Sequence, residues 1–142
     1  MKKYPKPSDD LSSILVKESG PMPLIYYTRQ GINFDSFVQL AGMSPFNIQD
    51  WSKFLHLSER TMQRYKKEKK RFGPIYAEKI IEITILQKYG AAVFGNDENY
   101  AQWMDINNIA LDGSKPKDLL DSTFGIKLIK QELGRIEHGI LA

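Results

Sequence analysis

Along the last stretch of the chain apolar residues recur at alternating spacings of three and four, at Ile126, Ile129, Leu133, Ile136 and Ile140. That is the period of one helix face turned toward a core. The predicted helix begins after Asp121 or Ser122, and Gly139 is placed to end it. Upstream, Ile75–Tyr89 is apolar through Ile80, Ile81, Ile83, Ile85 and Leu86. The alternation of Ile81, Ile83 and Ile85 would suit a strand. The unbroken length and the helix formers Glu78, Lys79, Glu82, Gln87 and Lys88 predict a helix instead. So wide an apolar surface implies burial on two sides, in a central helix or at a dimer interface.

The remaining elements are set by caps and breakers. Asn33 or Asp35 caps a helix through Leu40 that ends at Gly42, and Ser44-Pro45 restarts the chain. A second helix runs from about Asn47 to Leu55. Ser58 caps a third through about Lys69, closed by Phe72-Gly73-Pro74. After Gly90 and Val93-Phe94-Gly95, Asn96 or Asp97 caps a short helix ending near Met104. Asn107-Asn108 and Asp112-Gly113-Ser114 are turns, and Lys115-Pro116 starts another short helix through Leu120. Leu24–Thr28, β-branched and aromatic, reads as a short extended segment. Residues 1–23, with Pro5, Pro7, Pro21 and Pro23, read as a flexible arm with one helical turn around Leu11–Lys17. The fold class is all-α, with a helical unit over 24–89 and a second over 90–142.

Composition adds limits. Hydrophobic residues make up 42% of the chain and charged residues 26%, so a buried core is feasible. With no cysteine, disulfide frameworks and cysteine metal sites are excluded, and a reducing compartment is compatible. The opening MKKYPKPSDD lacks the apolar core of a signal peptide, and no run approaches the roughly 20 apolar residues of a membrane span. The expected location is the cytoplasm, with no membrane partner. The net charge is only +3 but unevenly placed. Arg60, Arg64, Lys66, Lys67, Lys69, Lys70 and Arg71 crowd one segment, while Asp97, Glu98, Asp105, Asp112, Asp118 and Asp121 make a later one acidic. Different regions therefore suit different partners.

The basic segment coincides with a helix-turn-helix pattern in DWSKFLHLSERTMQRYKKEKK. Trp51 and Leu55 give the first helix its apolar face, His56-Leu57 forms the turn with Leu57 as a plug, and Ser58 caps the second helix. Met62 and Tyr65 hold that helix to the core. Glu59, Arg60, Gln63 and Arg64 then face outward near the helix start, with Lys66 and Lys67 behind them. Arginine pairs bidentately with guanine and glutamine with adenine, while lysine contacts phosphates. The pattern resembles the Xre-type helix-turn-helix, except that His56 stands where glycine is common.

The second constellation is Val93-Phe94-Gly95, Trp103, Asn108 with Ala110-Leu111, Gly113, Pro116 with Leu119-Leu120-Asp121, Gly125, and Leu133-Gly134-Arg135-Ile136-Glu137-His138-Gly139. In this order and spacing it resembles the toxin-binding domain of Xre/MbcA/ParS-type antitoxins, and with the helix-turn-helix the resemblance covers Asn33 to Ala142. Asp112 replaces a glycine frequent in such chains, and Ile106-Asn107 lacks their proline. The resemblance implies a partner toxin of the RES-domain class, which attacks NAD or uses it to modify a protein. It also implies that the end of the antitoxin obstructs the toxin's active site. The matching candidates are Arg135, Glu137, His138, Gly139, Ile140, Leu141 and Ala142, with Arg135 off the apolar stripe and Leu141 a terminal anchor.

Enzymatic chemistry has little to build on here. No Gly-rich phosphate loop, metal-ligand cluster or G-x-S-x-G elbow is present, and His56 and His138 stand apart. No cofactor or metal is implied. The partners are the toxin and operator DNA, with a homodimer expected from the surface of Ile75–Tyr89 and from operator palindromes, and higher toxin–antitoxin assemblies beyond it. The alternative is a homodimeric helix-turn-helix regulator with no toxin partner.

Overall fold

The computed structural model describes residues 20–139. The helical turn expected at Leu11–Lys17, and all but the last residues of the expected arm, lie outside them. Helix α1 spans Pro21–Gln30, so Leu24–Thr28 is helical where the sequence predicts an extended segment. Proline is tolerated in a first helical turn, because the amide it lacks has no partner there. The Thr28 hydroxyl donates to the Leu24 carbonyl at 2.8 Å, satisfying a polar group that would otherwise favour extended backbone. Helix α2 (Phe34–Gly42) follows, capped by Asn33 Oδ1, which accepts the Ser36 N–H at 2.7 Å.

Helix α3 (Ile48–Phe54) opens on a reciprocal capping box. Asn47 Oδ1 accepts the Asp50 N–H at 2.8 Å, and Asp50 Oδ2 accepts the Asn47 N–H at 3.1 Å. Helix α4 (Glu59–Glu68) begins at the predicted Ser58 cap. Two short strands, β1 (Ile32–Asn33) and β2 (Arg71–Phe72), pair antiparallel with Ile32 opposite Phe72 and Asn33 opposite Arg71. The sequence reads Phe72 only as punctuation. In the fold it is fully buried and lies 5.0 Å, centroid to centroid, from both Phe37 and Tyr65.

Helix α5 (Pro74–Phe94) runs through Gly90, which the sequence reads as a break. The residue serves contact and not termination: a side chain there would collide with the Tyr100 ring. Helices α6 (Asp97–Met104) and α7 (Thr123–Glu137) flank 3-10 turns at Ile109–Leu111 and Pro116–Leu119. The fold is all-α apart from the two-residue strands.

The chain forms two compact units, divided between Ile81 and Glu82 within α5. The first is an aromatic core, with Trp51 edge-on to Phe37 at 5.4 Å and Phe46 edge-on to Phe54 at 5.0 Å. The second is mainly aliphatic, with Leu86, Leu111, Leu120, Ile126, Ile129 and Leu133 buried around Tyr100 and Met104. The isoleucines of α5 are divided accordingly. Ile80 and Ile81 are buried in the first unit and Ile83 in the second, while Ile75 and Ile85 are exposed. Most of the apolar surface from which a dimer interface is expected is therefore covered within the chain. Among the described residues, no helix is long and apolar enough to cross a membrane.

Candidate functional site

The turn between α3 and α4 is a Schellman motif. The His56 N–H donates to the Lys53 carbonyl at 3.2 Å and the Leu57 N–H to the Ser52 carbonyl at 2.9 Å. Such a turn puts the residue after the helix in the left-handed region, and His56 lies at φ 56°. This explains why glycine suits the position in the resembled pattern. Leu57 is half-buried, a partial plug. Ser58 Oγ accepts the Thr61 N–H at 3.0 Å and donates to Thr61 Oγ1 at 2.9 Å, fixing the first turn of α4.

Met62, 1% exposed, anchors α4, and Tyr65 packs on Phe72. At about 100° per residue, Arg60, Gln63, Arg64 and Lys67 share the face opposite these anchors, and all four are exposed. Lys66 is also exposed but sits on the flank. The end of the basic run is engaged elsewhere. Lys70 stands over the Tyr65 ring at 5.6 Å and 3.6 Å from Glu68. Arg71 Nη1 donates to the carbonyls of Gln30 and Gly31, at 3.3 and 3.1 Å. The outward group is narrower than the charge run, a compact set of two arginines, a glutamine and a lysine on a braced helix.

In the second unit, Asp105 accepts hydrogen bonds from Lys115 at 3.3 Å and Lys117 at 3.1 Å. The hydrogen bonds from Lys117 and Lys115 hold its carboxyl below the usual range. The loop above is closed by the Asn108 N–H on the Ser114 carbonyl at 3.0 Å and by Asn107 Nδ2 on the Gly113 carbonyl at 2.9 Å. Asp112, at φ 57°, takes the left-handed conformation for which glycine is the ordinary choice. Helix α7 starts at Ser122, whose Oγ accepts the Gly125 N–H at 3.0 Å. Gly125 lies so close to the Leu119 carbonyl that any side chain would overlap it.

The α7 stripe is buried at Ile126, Ile129 and Leu133 but emerges at Ile136, 37% exposed, where cover runs out in the last turn. Ile140, Leu141 and Ala142 lie outside the described residues. The other C-terminal candidates do not form one patch. Glu137 accepts the Tyr89 hydroxyl at 3.1 Å, and His138 Nε2 stands 3.9 Å from the same carboxylate oxygen. Desolvation, then the Glu137 carboxylate beside it, push the Tyr89 phenol upward. Arg135 is exposed on the opposite face of the helix. Gly139 closes the helix at φ 67°, its N–H donating to the Ile136 carbonyl at 3.1 Å. Tyr89 goes unnoticed in the sequence, since nothing local marks a tyrosine as the partner of a carboxylate 48 residues away.

A groove of about 200 Å³ between α5 and α7 is lined by Glu82, Ile85, Leu86, Tyr89, Ile126 and Lys130, mostly apolar. Among the described residues, no group of three or more metal-ligating side chains comes together.

Comparison with known proteins agrees in both halves. Residues 23–83 match the family model of the antitoxin Xre-like helix-turn-helix domain. Residues 90–139 match that of the antitoxin Xre/MbcA/ParS C-terminal toxin-binding domain. No curated protein matches the chain. With a capped helix-turn-helix first and a toxin-binding domain after it, the chain belongs to the Xre/MbcA/ParS-type antitoxins.

Proposed function

We propose that this antitoxin neutralises a cognate RES-domain toxin, one that acts on NAD, and represses its own operon by binding operator DNA as a homodimer in the cytoplasm. The observation that carries the reading is that one chain holds both a braced basic helix face and a toxin-binding domain. Binding of the antitoxin to its operator then couples toxin supply to antitoxin supply. Within the major groove, Arg60 and Arg64 read guanine and Gln63 reads adenine, while Lys67 and the flanking Lys66 contact phosphates. A twofold dimer matches two half-sites about one helical turn apart. Toward the toxin, Arg135 pairs with an acidic or phosphate-binding group, and the segment from Glu137 and His138 through Gly139, Ile140, Leu141 and Ala142 obstructs the active site.

The test is co-purification and growth rescue with the protein encoded by the adjacent gene, using the full chain and a chain truncated after His138. Rescue by the full chain alone supports the tail as the obstructing element. If the neighbour neither binds nor inhibits growth, the chain is a homodimeric helix-turn-helix regulator with no toxin partner. Operator binding is tested by salt titration, where each phosphate contact contributes about −0.9 to the log–log slope. Arg64→Ala with unchanged affinity and slope would remove Arg64 from the interface.

A further inference from the structure

Helix α7 carries two stripes. The inner one, Ile126, Ile129 and Leu133, is buried in the second unit. The outer one consists of Phe124, Leu128, Gln131 and Arg135, spaced four, three and four residues apart, and so shares the opposite face. A surface stripe of this kind is ordinarily polar. Here Phe124 is 85% exposed and Leu128 42% exposed, and Gln131 and Arg135 are exposed as well. The helix presenting them is rigidly seated, by the Ser122 cap, by the close approach of Gly125 to Leu119, and by the inner stripe. Little ordering is then left for a partner to impose.

We infer that this outer face of α7 is the principal docking surface for the toxin, with Phe124 and Leu128 as apolar anchors and Arg135 as the charged one. The inference rests on the toxin-binding reading above and deepens it, because it assigns affinity to the helix face where that reading assigns obstruction to the tail. Anchors spaced four, three and four residues apart on one exposed helix face are the pattern by which a helix is laid into a partner's groove, and arginine is enriched among the residues that carry binding energy. The face lies within the stretch that matches the toxin-binding domain. A second copy of the chain is a poorer occupant. The outer stripe contains no acid to answer Arg135 in a second copy. The partner surface therefore offers an apolar groove for Phe124 and Leu128, and a carboxylate about 16 Å further along the helix axis for Arg135.

The experiment is calorimetric titration of the full chain with the protein encoded by the adjacent gene, using wild type, Phe124→Asp, Leu128→Asp and Arg135→Ala. Operator affinity and circular dichroism serve as folding controls. The expected result is about 30-fold or greater weakening of toxin affinity by Phe124→Asp, with operator affinity unchanged. A smaller loss follows for Arg135→Ala, restored in part by Arg135→Lys. If wild type binds and both aspartate variants bind within about threefold of it, the docking face is overturned while the toxin-binding reading stands. Loss of a wild-type dimer in Phe124→Asp, seen by sedimentation with toxin affinity retained, would overturn it in favour of a self-interface. Failure of the wild type to bind the neighbour would take down both readings together.

Discussion

The two units of this antitoxin reach stability by different routes. The helix-turn-helix unit is an aromatic cluster in which Phe37, Trp51, Phe54 and Phe72 interlock ring to ring, and its helices begin at strong local caps. The toxin-binding unit has fewer rings and depends on close approach. Helix α5 meets the Tyr100 ring at Gly90, and α7 meets the Leu119 carbonyl at Gly125. It also tolerates a misfit, for Tyr100 is fully buried and its hydroxyl has no hydrogen-bond partner among the described residues. A core filled by large rings fails when a ring is removed, whereas one built on contact fails when an atom is added.

Mutations of opposite sign separate these two cases. Phe72→Ala removes the ring that joins α2, α4 and α5, and is expected to destabilise by about 3–5 kcal/mol and abolish DNA binding. Denaturant titration beside a DNA-binding assay checks both effects. The smallest possible addition, Gly125→Ala, should cost about 1–3 kcal/mol in the toxin-binding unit and weaken toxin capture, measured by the same titration and by calorimetry. Tyr100→Phe is expected to stabilise by about 1 kcal/mol, since it deletes a buried unpaired hydroxyl.

Burial holds the Tyr100 phenol well above its ordinary range. Above about pH 10 the unfolded chain loses that proton while the folded chain keeps it, so this contribution to stability falls as pH rises. Urea midpoints from pH 9 to 11 should fall less steeply in Tyr100→Phe than in wild type. The smallest effect is expected at the turn. His56→Gly relieves a left-handed residue and should raise thermal stability by up to about 1 kcal/mol, offset in part by the freedom glycine gains when unfolded.

Caps explain why so much of the architecture is legible in the sequence. Asn33, Asn47, Ser58 and Ser122 each announce a helix through a bond to an amide three residues on, so the signal and its cause lie together. The stripes at Trp51 and Leu55 and at Ile126, Ile129 and Leu133 follow from helical period alone. The misreadings lie where a distant partner decides. Leu24–Thr28 is the exception: extended by propensity, it is helical, with the Thr28 hydroxyl bonded inside its own helix. Phe72 looks like punctuation until Ile32 is seen paired with it. Gly90 looks like a stop because no window around it contains Tyr100. At the candidate sites the outward placement of Arg60, Gln63 and Arg64 follows from helical period, whereas the positions of Lys70 and Arg71 at the end of the charge run depend on Tyr65 and on the end of α1. Spacing sets Phe124 off the buried stripe, but that it stands 85% exposed depends on what the rest of the fold lays over that face, which no local pattern shows.

Residues His56, Lys69 and Asp112 hold side chains in left-handed backbone, at φ 56°, 50° and 57°. Each position would accept glycine with less steric conflict, and each withholds up to about 1 kcal/mol from the folded state. A change of that size multiplies the population of opened molecules about fivefold. Where cleavage is slow relative to reclosing, a protease samples the chain in proportion to that population. The three turns therefore act on the lifetime of the molecule as well as its shape, and replacing them with glycine should lengthen its half-life in a proteolytic extract.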